Sequence, residues 1–390
     1  MAIILFDNNE RQKLYPLTLT RAVADIQTGI YTFKERWQLL SNQSVYVCTQ
    51  PYLQCLYEAV PLGTHTWIDA SSIINDERTV QQILSLNEGA AVFDSKGFIA
   101  AQLTIENIAE FLHSPDAFVS KIYQVQDVKR LKYLHEIFQH NHAAIERDFL
   151  LATKDKTSAK PSSTNNIIAA EKIFIEEDVQ AEFVTINAST GPVYIAKNAV
   201  LMEGSLIRGP FVLGENAVLK MGSKIYGATT ISHDCTCGGE IKNVVMHAYS
   251  NKAHEGYLGD SVIGSWCNLG AGTSNSNVKN TAGNVKLWND YENDFIIAGL
   301  KCGLIMGDYS RTAINTSVNT GTVAGVCCNI FGEGLSPKVI ESFSWGMHPS
   351  KKYELEKALN DIDNWKKMKH QLLSNEEREV LQYIFEQFSK

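Results

Sequence analysis

An apolar residue returns at every sixth position through the middle of the chain. The first run comprises Ile195, Leu201, Ile207, Leu213, Leu219, Ile225, Ile231 and Cys237. A period of six fits neither a hairpin sheet nor an amphipathic helix, so it predicts short strands that turn after each step. Three steps close one coil of about 18 residues, and stacked coils bring the recurring side chains into a continuous core. The pattern therefore predicts a parallel β-helix over residues 167–334.

The same period returns later in two new registers. It resumes at Tyr257, Ile263 and Leu269, and again at Met306, Thr312, Val318, Ala324 and Ile330. Each change of register predicts inserted residues, the first at 243–256 and the second at 272–303. Loops that leave a regular solenoid commonly carry binding groups, so we expect function on the outside of the β-helix.

The N-terminal part shows a different pattern. Short apolar strand patterns lie at 2–6, 44–49, 65–68 and 90–93, and helical patterns lie at 78–86, 104–112 and 128–149. This alternation predicts a Rossmann-like α/β domain over 1–152, with a parallel sheet and crossover helices.

The remaining segments are a linker and a C-terminal extension. Residues 153–166 are rich in Lys, Ser, Thr and Pro and have no apolar period, which predicts a linker. Helical spacing at 351–368 and 374–388 predicts a helical extension over 335–390, with Ser374 and Glu377 as a capping box. We expect these helices to cover one end of the coils.

Composition narrows the class of protein. A chain of 390 residues with 44% hydrophobic and 20% charged residues predicts two or three globular domains. The net charge of −8 and the lack of a basic run argue against a nucleic-acid partner. No apolar run approaches the roughly 20 residues that cross a bilayer, so we expect a soluble cytoplasmic protein. The eight cysteines form no CxxC pair, which favours buried reduced thiols.

One segment carries a specific resemblance. It runs Ser250-Asn-Lys-Ala-His-Glu-Gly-Tyr-Leu-Gly-Asp-Ser-Val-Ile-Gly264 and continues with Cys267-Asn-Leu-Gly-Ala-Gly-Thr273 and Asn275-Ser-Asn277. It resembles the acetyltransferase half of the bifunctional GlmU family, and the chain looks most like the alternative Bacteroidetes type. The resemblance implies a left-handed, trimeric β-helix that transfers acetyl from acetyl-CoA to glucosamine 1-phosphate. It further implies Mg²⁺-dependent uridylyl transfer from UTP by the N-terminal domain, which makes UDP-N-acetylglucosamine.

The resemblance also assigns roles to residues. His254 takes the position of the general base, a role that suits an imidazole because its usual pKa is about 6.5. Tyr257 would hydrogen-bond the sugar or its phosphate, although its place in the period equally fits a core residue. Asn268 and Asn277 match positions that contact the amino sugar, whereas Asn is also a common corner residue in a β-helix. Val278 replaces a family tyrosine, and either Lys279 or Lys286 would enter the site of a neighbouring subunit.

Two lysines offer a phosphate site. Lys224 and Lys242 are 18 residues apart, so an unbroken period would stack them on adjacent coils about 4.8 Å apart. Two ammonium groups at that separation repel each other unless an anion lies between them, and a sugar phosphate is such an anion. In the family, basic residues at these positions contact the phosphate, with Arg where this chain has Lys224. A solvated lysine pair is the alternative.

Acetyl-CoA would lie in a groove between coils of adjacent subunits, where small side chains allow close approach. Ala271, Gly272, Gly307 and Gly325 meet that description, although glycines of tight coil turns do so equally.

The N-terminal domain resembles a sugar nucleotidyltransferase through Lys13-Leu-Tyr-Pro-Leu-Thr-Leu-Thr-Arg21. The family's glycine-rich phosphate loop and its Pro-Lys pair are replaced by Asp7-Asn-Asn-Glu-Arg-Gln-Lys13 and Ala22-Val23. The candidate triphosphate-binding residues are Arg11, Lys13, Arg21 and Lys34. Asp69 and Asp94 follow strands and are candidate Mg²⁺ ligands, or else turn residues.

Three other functions remain open from the sequence. The acetyltransferase is compatible with a catalytically silent N-terminal domain that only binds a nucleotide or sugar. A non-enzymatic sugar-nucleotide sensor is a second possibility. A zinc-dependent β-helical enzyme is a third, because His233, His247 and His254 lie close in sequence.

Overall fold

The computed structural model describes residues 1–74, 76–347 and 351–389, which form two compact units. Unit 1 comprises Met1–Leu14, Thr20–Ile26 and Tyr31–Tyr133. Unit 2 comprises Tyr15–Leu19, Gln27–Ile30 and Leu134–Lys390. None of the helices in the described part of the chain is long and apolar enough to span a membrane.

Unit 1 is built on a six-stranded mixed sheet. In spatial order its strands are Val45–Cys48, Ile3–Phe6, Thr64–Asp69, Gly97–Thr104, Ala90–Asp94 and Lys121–Gln124. The central strand Ile3–Phe6 is buried along its whole length and runs parallel to both neighbours. It consists only of Ile, Leu and Phe, and such a continuous apolar sequence is typical of a strand that is covered on both faces.

The α/β class and the parallel pairing of the central strands are confirmed, but one strand makes the sheet mixed. The strand Gly97–Thr104 runs antiparallel to both of its neighbours. It forms a hairpin with Ala90–Asp94, in which Asp94 pairs with Gly97 across a two-residue turn. Residues 97–104 therefore lie in a strand, and the helix predicted from 104 begins only at Ile108.

Helices and a small ribbon complete unit 1. The helices are α1 (Phe33–Ser41), α2 (Pro51–Gln54), α3 (Glu77–Leu84) and α4 (Ile108–His113), and a short strand lies at Tyr31–Thr32. Thr32 and Glu35 form a capping box that fixes the start of α1. The ribbon pairs Ser72–Ile73 with Lys129–Arg130 in antiparallel fashion.

Unit 2 is dominated by the predicted parallel β-helix, whose coils have three faces. The first face contains Asn166–Ile168, Thr185–Asn187, Leu206–Arg208, Lys224–Tyr226, Ser274–Asn275, Ser317–Val318 and the first halves of Glu240–Met246 and Tyr257–Ile263. The second face contains the second halves of those two strands with Ile173–Ile175, Val193–Ile195, Phe211–Leu213, Thr229–Ile231, Leu304–Met306, Thr322–Ala324 and Val339–Ile340.

The third face consists of two-residue strands. They are Gln180–Ala181, Val200–Leu201, Val218–Leu219, Thr236–Cys237, Asn251–Lys252, Asn268–Leu269, Arg311–Thr312, Asn329–Ile330 and Ser344–Trp345. Lys351–Lys352 pairs antiparallel with the last of these and covers the end of this face.

The predicted six-residue period is confirmed in the core. All eight residues of the first run, from Ile195 to Cys237, are at most 3% exposed. In the later register, Ile263 and Leu269 are in the core as predicted, but at its first position Leu258 is the buried residue (1% exposed) and Tyr257 faces outward. The interpretation of Tyr257 as a core residue is therefore wrong.

One of the two predicted insertions is present and the other is not. Residues 272–303 do leave the coils, and they contain a hairpin of Val285–Asn289 and Asp294–Gly299. No insertion is present at 243–256, and the coils that contain Ile241 and Leu258 are shortened instead. Ile207 pairs with Ile225 after 18 positions, whereas Ile225 pairs with Ile241 after only 16 and Ile241 with Leu258 after 17. The register changes there because residues are missing from the corners.

Helix α5 (Leu134–Thr153) packs within unit 2, against the second face. Its Asn141 donates to the carbonyl of Ala228 (2.8 Å) and accepts from the backbone N–H of Gly29 (2.7 Å). The segment that contains the strand Gln27–Thr28 is thus held by the β-helix, since Thr230 also donates to the carbonyl of Gly29 (3.0 Å). The predicted domain boundary at 152 and the linker 153–166 stay predictions.

The corner between the second and third faces holds one left-handed residue in each coil. These are Asp178, Asn198, Asn216, Asp234, Tyr249, Trp266, Tyr309, Cys327 and Phe343. The early members are Asn or Asp, which tolerate positive φ best among residues with a side chain. The later members are mostly aromatic and lie under the C-terminal helices.

Those helices are α6 (Leu355–Lys367) and α7 (Asn375–Phe388), and the capping box of Ser374 and Glu377 is confirmed. Lys366 lies over the ring of Trp266 (5.3 Å), Tyr309 donates to Glu377 (3.1 Å) and the rings of Phe343 and Phe385 are 5.1 Å apart. The helices therefore pack along the side of several coils rather than only on one coil end, which corrects the expected placement.

Candidate functional site

The first face of the β-helix carries a cluster of polar side chains across three coils. Ile225, Ile241 and Leu258 point into the core, so the residues flanking them point outward. Lys224, Glu240 and Tyr257 form one outward column, and Tyr226 and Lys242 form a second column beside it.

The predicted stacking of Lys224 on Lys242 is wrong. The shortened coil pairs Lys224 with Glu240 and Lys242 with Tyr226. The two lysines therefore occupy diagonal positions on adjacent strands, which are typically about 7–8 Å apart. Both remain on one surface, and the Glu240 carboxylate between them offsets part of their positive charge.

Tyr226 links the two columns. Its hydroxyl donates a hydrogen bond to Glu240, and Lys242 lies over its ring at 5.7 Å from the centroid. The hydrogen bond to Glu240 raises the pKa of Tyr226 to about 12, because donating to a carboxylate favours the neutral phenol. Tyr226 therefore keeps its proton and holds the Glu240 carboxylate in place.

A second network surrounds Asp260, which is 5% exposed. Its two carboxylate oxygens accept from the side chains of Asn243 (2.7 Å) and Asn277 (2.5 Å). Asn277 also donates to the hydroxyl of Tyr257 (3.0 Å). Burial, followed by the charge of Asp260, raises the pKa of Tyr257. Tyr257 therefore stays protonated and, while it accepts from Asn277, has its own proton to donate to a ligand.

His254 lies at the corner between the third and first faces, which we call the His254 corner (Ala253–Gly256). Its side chain is exposed. The adjacent Glu255 lies 3.7 Å from the ammonium of Lys224, so this corner borders the polar cluster. One coil further on, Ala271 and Gly272 occupy the same corner, and the N–H of Gly272 donates to the carbonyl of Glu255 (3.0 Å).

The other predicted residues lie elsewhere on the β-helix. Asn268 is on the third face, between Asn251 and Arg311. Gly307 and Gly325 are buried on adjacent coils beyond the second face, where a Cβ on Gly307 would approach the carbonyl oxygen of Gly325 to 2.7 Å. Their contacts are those of glycines that let two coils pack closely. Lys279 and the exposed Lys286 lie on the inserted loop.

The histidines do not gather into a metal site. His247 is buried and its ring nitrogens face the carbonyl of Ile263 (3.0 Å) and the N–H of Gln27 (3.4 Å). His233 pairs with Asp234 (2.8 Å). Among the described residues, no three His, Cys, Asp or Glu side chains are grouped to hold a metal ion.

Unit 1 has its own candidate site at the carboxyl ends of two central strands, Ile3–Phe6 and Thr64–Asp69. A pocket of about 290 Å³ opens there. It is lined by Phe6, Asn8, Glu10, Asp69, Lys96, Phe98, Pro115, Asp116, Arg130 and Lys132. Parallel strands present ligand-binding groups at this edge, so its position agrees with the sequence-based argument for Asp69.

Asp69 and Asp94 have different surroundings. Asp69 accepts from Asn8 (3.0 Å) and from both the N–H (2.9 Å) and the hydroxyl (2.8 Å) of Ser71, and burial raises its pKa. The side chain of Asp94 is fully buried. Its two oxygens accept hydrogen bonds from both terminal nitrogens of Arg130, at 2.7 and 3.0 Å. Burial alone would raise the pKa of Asp94, but the hydrogen bonds from Arg130, Val128 and Lys96 hold it below its usual value. Asp94 therefore anchors Arg130.

The four predicted phosphate-binding residues do not line this pocket. Arg11 forms an ion pair with Asp7 (3.0 Å) in which both side chains are 1% exposed, and Lys13 pairs with Glu10 (2.6 Å). The charges of Arg21 and Lys34 both act on Asp25. The cations that the sequence argument missed are Lys96, Arg130 and Lys132, which lie far along the chain and gather only in the folded unit.

Glu240, Asp260, Tyr226 and Asn243 were likewise not singled out from the sequence. Of these four residues, Asp260 lies within the Tyr-Leu-Gly-Asp260 part of the motif on which the resemblance rests. The others become visible only when the shortened coil sets Tyr226 and Glu240 beside the lysines.

Comparison with known proteins identifies a family for the N-terminal part of the chain. The family model described as sugar nucleotidyl transferase matches residues 3–157. The bifunctional protein GlmU of Methanocaldococcus jannaschii is 32% identical over 103 residues, which is 26% of this chain and 25% of that protein. The match thus spans about a quarter of the length of the curated relative.

A solved structure was also matched. The Arabidopsis UDP-N-acetylglucosamine acyltransferase is 12% identical, and the match covers 58% of this chain and 90% of that chain with a TM-score of 0.20. The family model and the curated relative support a GlmU-like family and the transferase class predicted from the sequence.

Proposed function

We propose that the chain is a bifunctional amino-sugar 1-phosphate enzyme. The β-helix would transfer acetyl from acetyl-CoA to glucosamine 1-phosphate, and unit 1 would transfer uridylyl from UTP to the N-acetylated product. The observation that carries the first activity is the cluster of Lys224, Lys242, Tyr257 and Asn277 on one face, bordered by the His254 corner.

The cluster has the chemistry to bind a sugar phosphate. The ammonium groups of Lys224 and Lys242 supply positive charge for the phosphate, and Lys acts there as a point charge. The hydroxyl of Tyr257 would donate to the sugar, and the amide oxygen of Asn277 would accept from it, because the Asn277 nitrogen already donates to Tyr257 and Asp260. Glu240 would accept a hydrogen bond from a sugar hydroxyl or from the substrate ammonium.

His254 would act as the general base. The substrate amine attacks the thioester carbonyl, a C–N bond forms, the C–S bond breaks and CoA leaves as the thiolate, which then takes a proton from the imidazolium or from water. His254 takes the proton that the nitrogen must lose. Ala271 and Gly272, at the same corner one coil later, leave room for the pantetheine arm, whereas the buried Gly307 and Gly325 fit a structural role better.

We propose a homotrimer, in which Lys279 or Lys286 of a neighbouring copy completes the site. Large apolar side chains are exposed along the β-helix, including Phe183 (66%), Leu206 (52%) and Met221 (67%). Leu206 pairs with Lys224 and so borders the site. Light scattering on the intact protein tests this proposal.

For unit 1, the pocket beside Asp69 supports nucleotide binding. Lys96 and Lys132 would engage phosphate oxygens, with Arg130 held in place by Asp94. A Mg²⁺ ion is commonly held by one or two carboxylates plus substrate phosphates, and Asp69 fits this role because its side chain lines the pocket. Asp94 does not fit it, since Arg130 already occupies both of its oxygens.

A second candidate function keeps the acetyltransferase but makes unit 1 a silent nucleotide- or sugar-binding module. The internal pairing of Arg11 with Asp7 and of Lys13 with Glu10 favours it, because these cations are already engaged. Two assays on the full chain separate the proposals. CoA release with glucosamine 1-phosphate tests the β-helix, and pyrophosphate release from UTP with N-acetylglucosamine 1-phosphate and Mg²⁺ tests unit 1. No pyrophosphate at high enzyme concentration would favour the silent module.

A further inference from the structure

A charged side chain lies inside the β-helix core, directly beneath the His254 corner. The inward column of the third face runs Ala181, Leu201, Leu219, Cys237, Lys252, Leu269, Thr312 and Ile330. Lys252 is the one charged member of this column in the described coils, and it is 1% exposed. Lysine is almost never fully buried without a partner, so this position calls for an explanation.

The ammonium of Lys252 is held by backbone carbonyls. Its Nζ donates to the carbonyl of His254 (2.7 Å) and to that of Gly238 (3.2 Å). Glu255 is the carboxylate whose charge acts on this ammonium. Burial lowers the pKa of Lys252, as expected for an ammonium removed from water.

The two carbonyls belong to the same corner on adjacent coils. Gly238 precedes the first face in one coil, and His254 precedes it in the next. The coils approach closely there, because a Cβ built on Gly238 would lie 2.5 Å from the carbonyl oxygen of Ala253. The coil is also short, since Cys237 pairs with Lys252 after 15 positions whereas Leu219 pairs with Cys237 after 18. Lys252 thus links the shortened corner at Gly238 to the His254 corner of the next coil, through hydrogen bonds made from within the core.

Stability alone does not account for a lysine here. Replacing a buried charge with an apolar group of similar volume is often neutral or stabilising, so a methionine would serve the core at least as well. The contact that methionine cannot make is the bond to the carbonyl of His254. That bond fixes the peptide unit that carries the imidazole.

We propose that Lys252 is a positioning residue, which sets the direction of the His254 imidazole toward the polar cluster by holding the His254 carbonyl from inside the β-helix. The proposal rests on acetyl transfer at His254. Misplacing a reacting group by about 1 Å can reduce turnover roughly a hundredfold, so losing this tie is expected to act on kcat.

The test is Lys252→Met in the full chain, with Leu269→Met at the next position of the same column as the matched control. For Lys252→Met we expect kcat for CoA release to fall about tenfold to a hundredfold. The KM for glucosamine 1-phosphate should be unchanged, because Lys224 and Lys242 are untouched, and the melting temperature should be equal or higher. Leu269→Met should retain wild-type kinetics. Lys252→Gln keeps donors near the carbonyls and should recover part of the lost kcat.

A double variant gives the sharpest readout. If Lys252 acts through the imidazole, Lys252→Met has no further effect on the residual rate of His254→Ala. A wild-type kcat in a folded Lys252→Met protein would overturn the proposal, as would additive losses in the double variant. Unfolding of both Lys252→Met and Lys252→Gln would also overturn it, by showing a purely structural role. If the wild-type protein releases no CoA, the proposed function itself fails, which is a separate outcome.

Discussion

The proposed acetyl transfer depends first on His254 and the lysines of the first face. The imidazole lies at a corner and the cations lie on the adjoining face, so each contributes to a different step. Lys224 and Lys242 would hold the phosphate, and His254 would remove a proton only when the amine attacks. Substitutions at these positions should therefore affect different kinetic constants.

Removing the base should abolish most turnover. For His254→Ala we expect kcat for CoA release to fall between about a hundredfold and ten-thousandfold, the usual contribution of a general base. The matched control is His233→Ala, an exposed histidine on another corner that pairs with Asp234. Equal losses in both variants would contradict the assignment.

Removing one phosphate-binding cation should instead weaken binding. For Lys242→Met we expect the KM for glucosamine 1-phosphate to rise about tenfold or more while the KM for acetyl-CoA stays the same, because hydrogen bonds to charged groups contribute roughly 1.5–3 kcal/mol. Lys220→Met serves as the control, since Lys220 lies outside the cluster. An unchanged sugar KM in Lys242→Met would count against the phosphate site.

Asp69 is the residue on which the proposed uridylyl transfer would depend most. For Asp69→Asn we expect pyrophosphate release to fall about a hundredfold or more, because the carboxylate charge that would face Mg²⁺ is lost. CoA release should be unaffected. Loss of both activities would indicate unfolding rather than a local role, and calorimetry on the same sample decides between them.

Among the secondary-structure elements, the pair of Asp94 and Arg130 has a mainly structural role. Asp94 ends one strand of the unit 1 sheet, and Arg130 belongs to the ribbon with Ser72–Ile73. The pair therefore ties the ribbon to the sheet beside the pocket. Breaking a buried ion pair by removing one partner leaves an uncompensated charge, which costs about 3–5 kcal/mol.

This gives a prediction for stability and its pH dependence. Asp94→Asn should lower the stability of unit 1 by about 3 kcal/mol at neutral pH. Since the folded-state pKa of Asp94 is lowered, the contribution is complete above the unfolded pKa of about 3.9 and is lost as the pH falls through the folded value. Calorimetry should thus show a large difference in unfolding free energy between Asp94→Asn and wild type at pH 7, and a smaller difference below about pH 4. Asp127→Asn, in an exposed pair with Lys96 (3.7 Å), should change little.

The corner column of the β-helix tests a different element. Asn216 has a φ of 57°, and its side chain bridges those of Asn198 and Asp234 in the neighbouring coils. Asn216→Ala should destabilise unit 2 by about 1–2 kcal/mol because alanine tolerates positive φ poorly. Asn216→Gly should cost less. Equal melting temperatures for the two variants would show that left-handed strain is not the determining factor.

The sequence predicted the regular parts of these elements and failed where the coils change length. The recurring Ile and Leu residues identify the β-helix because large apolar side chains fill most of its inward positions. The pairing of Lys224 with Glu240 was not predictable from a fixed period, since two residues are missing from a corner. The burial of Leu258 instead of Tyr257 has a related cause, because the next coil is one residue short of 18. In unit 1, Arg130 and Lys132 lie more than 60 residues beyond Asp69 in the chain, and no local pattern connects them.

At the scale of the whole molecule, the chain passes between its two units five times. Unit 2 includes Tyr15–Leu19 and Gln27–Ile30, two short segments from the N-terminal region. Tyr15 packs edge-on against Phe388 at 5.5 Å, and Ser232 donates to the side chain of Gln27. The β-helix unit is therefore incomplete when residues 1–30 are missing.

A fragment of residues 134–390 provides the test. It should unfold at a lower temperature than the β-helix transition of the full chain, because Asn141 and Thr230 lose their partners on Gly29. Adding a peptide of residues 15–30 should restore part of the difference. An unchanged transition would show that these segments contribute nothing to unit 2.

The interleaved chain also bears on how such proteins diversify. A gene fusion that replaced the first half of the chain at a single junction would remove Tyr15–Leu19 and Gln27–Ile30 from unit 2. The β-helix would then lack segments that pack on it, even if both original proteins folded well. Exchange of specificity between relatives should therefore proceed by point changes in the pocket or on the first face, and shuffling experiments that cut near residue 134 should yield few viable chimaeras.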